Sequence, residues 1–215
     1  MLFNNYKNFY VLANIDLHTL DGFIQRRKLL SGTSKYTPHI TLFTAILNVD
    51  NKYTKLFYST DFKNFIIKTY YKTLININLY SKKGNYEILG DTKKFFVRMY
   101  EPSNKTMITT FRTNIYNKIK QMLNINDFII HKSDQYVYFI IPNSSTYLFA
   151  VPTHSYGVGV WKPHVSIVHD TDTTNNNIRN LILNNDANSI TKYFKGNNLM
   201  PLTNIDMSRC NIVIK

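Results

Sequence analysis

Two short segments of the chain combine residue types that acid–base chemistry uses. They are the octapeptides YTPHITLF and, much later in the chain, WKPHVSIV. Each contains a proline, then a histidine, and a hydroxyl residue two positions after the histidine: His39 and Thr41 in the first, His164 and Ser166 in the second. Successive side chains in a β-strand point to opposite faces, so each histidine is predicted to lie beside its hydroxyl on one face.

Two such pairs facing one cleft would suit phosphodiester chemistry. Imidazole titrates near neutral pH, so one ring can act as the base while the other acts as the acid, and the residues alone do not decide which is which. The hydroxyls can donate hydrogen bonds to the phosphate oxygens on which charge grows in the transition state. This chemistry needs no metal, and the sequence has no His–Cys cluster or carboxylate-rich ligand run, so neither a metal nor another cofactor is predicted.

The segments PHITL and PHVSI resemble the paired His-x-Thr/Ser motifs of the 2H phosphoesterase superfamily, which has the LigT-like fold. Carried over by position, the resemblance implies that His39 and His164 are the catalytic pair and that Thr41 and Ser166 bind phosphate. It also implies a metal-independent phosphodiesterase with two pseudo-symmetric lobes whose sheets face each other across a basic cleft. Two features depart from the usual pattern, since Ser166 stands where threonine is more common and the motifs are farther apart than in compact members.

Four residues near the motifs are candidates for contacts with a nucleotide. Tyr36 and Trp161 are the first residues of the two octapeptides and precede the Pro-His segments at matching positions. They can stack on bases, or else pack on the protein surface. Phe43 is a candidate for lining a base pocket, with a role in the core as the alternative. Lys162 is a candidate phosphate contact, although a solvated lysine is the simpler interpretation.

The elements that must position these residues follow from hydrophobic periodicity and from turn residues. The pattern predicts strands over 9–17, 39–47, 135–142, 145–152, 164–168 and the last seven residues, and several short strands within 74–100 with turns at Lys83-Gly84 and Gly90-Asp91. It predicts helices over 18–30, 104–123 and 174–185, and one helix or two over 53–74. Thr19 is the predicted N-cap of the first helix, and the SGTS segment is predicted to end it.

This order predicts an α+β or α/β fold, with α+β preferred, and two similar lobes would explain the repeated octapeptide. Because no Gly/Ser-rich linker separates the halves, residues 1–215 are predicted to form one bilobal domain. The resemblance implies that this domain has antiparallel sheets facing a central cleft, with the helices outside.

Composition limits the kinds of partner that the protein can have. The net charge of +13 favours a polyanion such as a nucleotide or a short oligonucleotide, although excess lysine also keeps proteins in solution. No apolar run approaches the roughly 18 residues of a membrane span, no signal peptide is recognisable, and there is a single cysteine. We therefore expect a cytoplasmic protein without membrane association, and a monomer without an obligatory protein partner.

The resemblance also orders the possible substrates. Viral members, such as those of avian poxviruses and other large DNA viruses, degrade nucleotide second messengers of host immunity. It implies cleavage of the 2′–5′ bond of cyclic GMP-AMP first, then of 2′,5′-oligoadenylate, with processing of 2′,3′-cyclic phosphates or RNA ends as further alternatives. A non-catalytic binder of nucleotides or RNA would need the charge and the aromatic residues but not the imidazoles.

Overall fold

The computed structural model describes residues 6–48, 53–81, 85–90, 93–144, 147–152 and 162–215. Within them the chain has the predicted α+β composition, with antiparallel strand pairing. The helices are α1 (Leu17–Leu29), α2 (Thr54–Phe57), α3 (Thr60–Thr73), α4 (Thr106–Met122), α5 (Asn176–Leu183) and α6 (Ala187–Lys192). The strands are β1 (Tyr6–Asn14), β2 (His39–Asn48), β3 (Asn78–Tyr80), β4 (Tyr86–Leu89), β5 (Phe95–Met99), β6 (Glu101–Pro102), β7 (Ile129–Lys132), β8 (Tyr136–Ile140), β9 (Tyr147–Pro152), β10 (His164–His169), β11 (Ile205–Asp206) and β12 (Asn211–Ile214).

The two histidine motifs lie in different sheets. Strand β2 is central in a six-stranded sheet with the order β12-β1-β2-β9-β8-β7, whereas β10 is an edge strand of a three-stranded sheet with the order β10-β5-β4. A third sheet has the order β11-β3-β6. β2 pairs with β1 and β9, and β10 pairs with β5, and all three pairings are antiparallel.

Helix α1 links the first two strands and has well-defined ends. Its N-cap is Asp16, whose carboxylate accepts hydrogen bonds from the backbone N–H groups of His18 and Thr19. The prediction of Thr19 as the cap is therefore wrong, because the N-cap lies three residues earlier. At the other end Ser31 has a left-handed backbone (φ 54°), and Ser31 and Gly32 donate to carbonyls in the last turn, which is a Schellman motif.

Helix α4 is the clearest amphipathic helix in both sequence and structure. Its buried residues are Ile108, Phe111, Arg112, Ile115 and Ile119, which recur at helical spacing. The four apolar residues belong to a continuous apolar cluster that also includes residues of β1, β2, β5 and β10. Arg112 is the exception on this face, since a charged side chain only 4% exposed is unusual among aliphatic and aromatic neighbours.

Several boundaries differ from the sequence-based prediction. The segment 53–74, predicted as one helix or two, forms the two helices α2 and α3, and the hydroxyl of Ser59 caps α3. The short elements β7, α6 and β11 were not predicted, since segments of two to six residues give little periodic signal. Of the predicted turn Gly90-Asp91, Gly90 has a left-handed φ of +97°, whereas Asp91 and the turn predicted at Lys83-Gly84 lie outside the described residues.

In the part of the chain that the structure describes, no helix is both long and apolar enough to span a membrane.

Candidate functional site

Backbone hydrogen bonds join the segment after α1 to the segment after β10. Gly32 and Thr173 form an isolated β-bridge, and the Thr33 N–H donates to the carbonyl of Asp172 at 2.7 Å. The Thr174 N–H donates to the carbonyl of Ser31 at 3.0 Å. These contacts, together with direct contact between β2 and β10, hold the two motif strands beside each other.

A cavity of about 250 Å³ lies between the two motif strands. All four motif residues line it: His39, Thr41, His164 and Ser166. The other lining residues are Tyr10, Arg27, Ser34, Tyr36, Thr37, Pro38, Phe95, Ile167 and His169. Both motif histidines are half-buried, so neither imidazole is enclosed among aliphatic side chains. The repeated octapeptide thus brings two imidazoles and two hydroxyls to one cavity.

The two histidine rings are held in the same way. Nδ1 of His39 lies 2.8 Å from the carbonyl oxygen of Thr37, and Nδ1 of His164 lies 3.1 Å from that of Lys162. A carbonyl can only accept, so Nδ1 carries the proton in both rings. Nε2 is then the nitrogen through which each ring can take up or release a proton.

The surroundings of His39 favour its neutral form. Burial lowers the pKa of His39 below its usual value, and the positive charges of Lys215, His164 and Arg27 lower it further, although the hydrogen bond to Thr37 acts in the opposite direction. A neutral imidazole with its proton on Nδ1 has a lone pair on Nε2. His39 is therefore suited to accept a proton at neutral pH.

A β-bulge follows the hydroxyl residue in both motif strands. The pairing register shifts so that Leu42 is an extra residue in β2 and Ile167 is an extra residue in β10. Each bulge reverses the alternation of faces, which explains why two consecutive residues are buried at 42–43 and again at 167–168.

The bulges correct two expectations based on strict alternation. Phe43 does not line the cavity but is 1% exposed and packs edge-on against Phe9 and Tyr116. Strict alternation would place His169 on the face opposite His164, because the two are five positions apart, but His169 lines the cavity instead. There its Nδ1 lies 3.1 Å from a carboxylate oxygen of Asp172.

Arg27 is the one arginine in the cavity lining. Its Nε donates to the carbonyl of Ile167 at 2.8 Å, and its Nη1 donates to the carbonyl of Tyr36 at 2.7 Å. The guanidinium thereby connects α1 to β10 and to the loop before β2. It also provides a positive charge in the cavity.

The remaining predicted contact residues have different positions. Tyr36 lines the cavity and is 67% exposed, and Tyr10, on the neighbouring strand β1, lines it as well. Lys162 is exposed and outside the cavity lining, and its backbone carbonyl accepts a hydrogen bond from His164. Trp161 lies outside the described residues.

Sequence reasoning missed Arg27, Tyr10 and the cavity position of His169. The four motif residues were found because their octapeptide occurs twice, whereas these three residues lie outside both octapeptides. A signal was present for the buried Arg112, which interrupts the apolar face of a predicted helix. Among the described residues, no group of three or more His, Cys, Asp or Glu side chains is arranged to hold a metal ion.

A scan of protein-family models finds no match to this chain, and a search of curated proteins finds no significant match either.

Proposed function

We propose that this protein is a two-histidine phosphodiesterase of the 2H type, with His39 and His164 as the catalytic pair. The observation that carries the proposal is that both His-x-hydroxyl motifs line one cavity, with the two rings held in the same tautomer by equivalent backbone carbonyls. The location of β2 and β10 in separate sheets that meet at this cavity supports the bilobal LigT-like arrangement as part of the proposal.

The lowered pKa of His39 makes it the proposed base, and His164 is then the proposed acid. In a 2′–5′ linkage a free 3′-hydroxyl lies next to the phosphorus. His39 Nε2 takes the proton of this hydroxyl as its oxygen bonds to phosphorus, and His164 Nε2 gives a proton to the departing O5′. The products are a 2′,3′-cyclic phosphate and a free 5′-hydroxyl. Thr41 and Ser166 donate hydrogen bonds to the non-bridging oxygens.

The proposed substrate is a nucleotide second messenger with a 2′–5′ bond, with cyclic GMP-AMP ranked before 2′,5′-oligoadenylate. The ranking follows the resemblance of the motifs to viral members of the superfamily, in which such cleavage antagonises host immune signalling. The cavity supports a nucleotide of this kind in general terms. It combines the cation of Arg27 with the tyrosine rings of Tyr10 and Tyr36, which can stack on bases.

The test is to incubate the pure protein with a substrate panel and identify products by mass spectrometry. The panel contains cyclic GMP-AMP isomers, 2′,5′- and 3′,5′-oligoadenylate and 2′,3′-cyclic nucleotides. We expect cleavage of 2′–5′ bonds that EDTA does not inhibit. His39→Ala and His164→Ala should each lower kcat by about 10²- to 10⁴-fold, the usual contribution of general acid–base catalysis, while binding is retained.

His131→Ala is the matched control, because this histidine is exposed on β7 and does not line the cavity. Its activity should equal that of the wild type. Loss of activity with EDTA would contradict the proposed mechanism. If the wild-type protein binds the panel without converting any member, the charge and the tyrosines serve a nucleotide binder, and the proposal of catalysis fails.

A further inference from the structure

The bulges in the two motif strands occur at the same place relative to the histidine. Leu42 follows His39 by three residues, and Ile167 follows His164 by three residues. Both extra residues are buried, at 0% and 1% exposure. A bulge takes one residue out of the regular ladder, so its buried carbonyl needs another hydrogen-bond donor.

In both strands an arginine from a helix supplies this donor through Nε. Arg112 of α4 donates to the carbonyl of Leu42 at 3.0 Å, and Arg27 of α1 donates to the carbonyl of Ile167 at 2.8 Å. The two bonds connect residues 70 and 140 positions apart in sequence. The arrangement is therefore repeated in three dimensions although neither arginine belongs to the repeated octapeptide.

Arg112 is the clearer case because its side chain is buried. It is 4% exposed, it does not line the cavity, and it forms no ion pair with any described residue. Burial lowers the pKa of its guanidinium to about 10. Burying a guanidinium without a carboxylate beside it costs folding free energy. The hydrogen bond from Arg112 to the carbonyl of the bulge must therefore have a structural role.

We propose that Arg112 and Arg27 are positioning residues, each holding the β-bulge that fixes the direction of one His-x-hydroxyl motif. Without the bulge the register would slip by one residue, and the motif face would be rotated relative to the core. This inference rests on the proposed function, because positioning matters for catalysis only if His39 and His164 are the reacting groups. Arg27 also lines the cavity and can touch a ligand, so Arg112 carries the test.

The kinetic test compares Arg112→Met, which removes the donor, with Arg112→Lys, which keeps an N–H donor of similar reach. Arg112→Met should lower kcat about 10- to 100-fold with KM nearly unchanged, since small misplacements of reacting groups have effects of this size. Arg112→Lys should recover most of the loss. Arg26→Met is the matched control: Arg26 is also buried and binds backbone carbonyls, but those of Gly22 and Met200. An equal loss of kcat in this control would overturn the proposal.

A second measurement does not depend on any substrate. In NMR spectra, Arg112→Met should shift the imidazole signals of His39 and the amide signal of Thr41, and leave those of His164 and Ser166 in place. Unchanged His39 and Thr41 signals in the folded variant would overturn the positioning role. If Arg112→Met does not fold, Arg27→Met replaces it and the His164 and Ser166 signals are read. Failure of the wild-type protein to cleave the panel would instead count against the proposed function alone.

Discussion

At the scale of single residues, two histidines that line the cavity are harder to protonate than an ordinary histidine. Burial lowers the pKa of both His39 and His169, and positive neighbours add to the effect, although Asp172 opposes it for His169. In the unfolded chain these histidines titrate near their ordinary pKa of about 6.5. As the pH falls below that value, the unfolded state binds protons that the folded state does not.

We therefore expect the free energy of unfolding to decrease as the pH falls from about 7 to about 5. His39→Gln and His169→Gln should each make this decrease smaller, because they remove a group whose folded-state pKa is depressed. Urea unfolding at a series of pH values measures the effect, with His131→Gln as the exposed control. A steeper pH dependence in the cavity variants would contradict the assignment of lowered pKa values.

The same shift has a kinetic consequence. If His39 is the base, the rising limb of kcat/KM should be centred at a pH below 6.5, which is about the pKa of an ordinary imidazole. The reason is that the neutral form of His39 persists to lower pH. The pH profile of kcat/KM in the free enzyme reports this group. A rising limb centred above 6.5 would exclude His39 as the base.

At the scale of elements, the end of α1 determines where Arg27 is directed. The Schellman motif places Gly32 so close to the helix that an added Cβ would lie 2.6 Å from Cγ of Arg27 and 3.1 Å from Cγ2 of Val168. Glycine is required at this position because a side chain would not fit, and not because of its backbone, whose φ is not left-handed. Gly32 therefore lies between the end of α1 and strand β10, next to the residue that follows the bulge.

Gly32→Ala is expected to move Arg27 away from the carbonyl of Ile167. Overpacking of this kind destabilises proteins by about 1–3 kcal/mol, so the melting temperature should fall by several degrees, and kcat should fall with it. Thermal unfolding and turnover on the same sample measure both effects. Ser31→Gly, at the neighbouring left-handed position, is the control that should retain activity. Normal activity in Gly32→Ala would show that Arg27 tolerates displacement.

The elements also show how much the sequence could predict. The motif strands were predicted almost to the residue, because His39-x-Thr41 and its repeat alternate with buried aliphatic side chains. The reversal of faces after the hydroxyls could not be predicted from local pattern. It depends on the partner strands β1 and β5 and on arginines far away in sequence, and so strict alternation would place Phe43 and His169 on the wrong faces.

At the scale of the whole molecule, the net charge of +13 creates a field that attracts anions. Arg27 in the cavity lining and Lys215, whose charge acts on His39, bring part of this field to the cavity. Dissolved salt screens such interactions over a Debye length of about 10 Å at 0.1 M. Substrate capture should therefore depend on ionic strength more strongly than the chemical step does.

We expect KM to rise several-fold between about 50 and 500 mM NaCl while kcat changes little. Steady-state kinetics at constant pH separates the two parameters, and a potassium chloride series controls for effects specific to sodium. A KM that does not respond to salt would indicate that base stacking, rather than charge, provides most of the binding.

The contact between Thr33 and Asp172 spans 139 residues, almost two thirds of the chain. Such a contact forms only after a large loop has closed, and loop closure carries an entropic cost that local helices do not have. During refolding, helical circular dichroism should therefore return before enzymatic activity. Separately expressed halves of the polypeptide should each lack turnover, because neither contains both walls of the cavity.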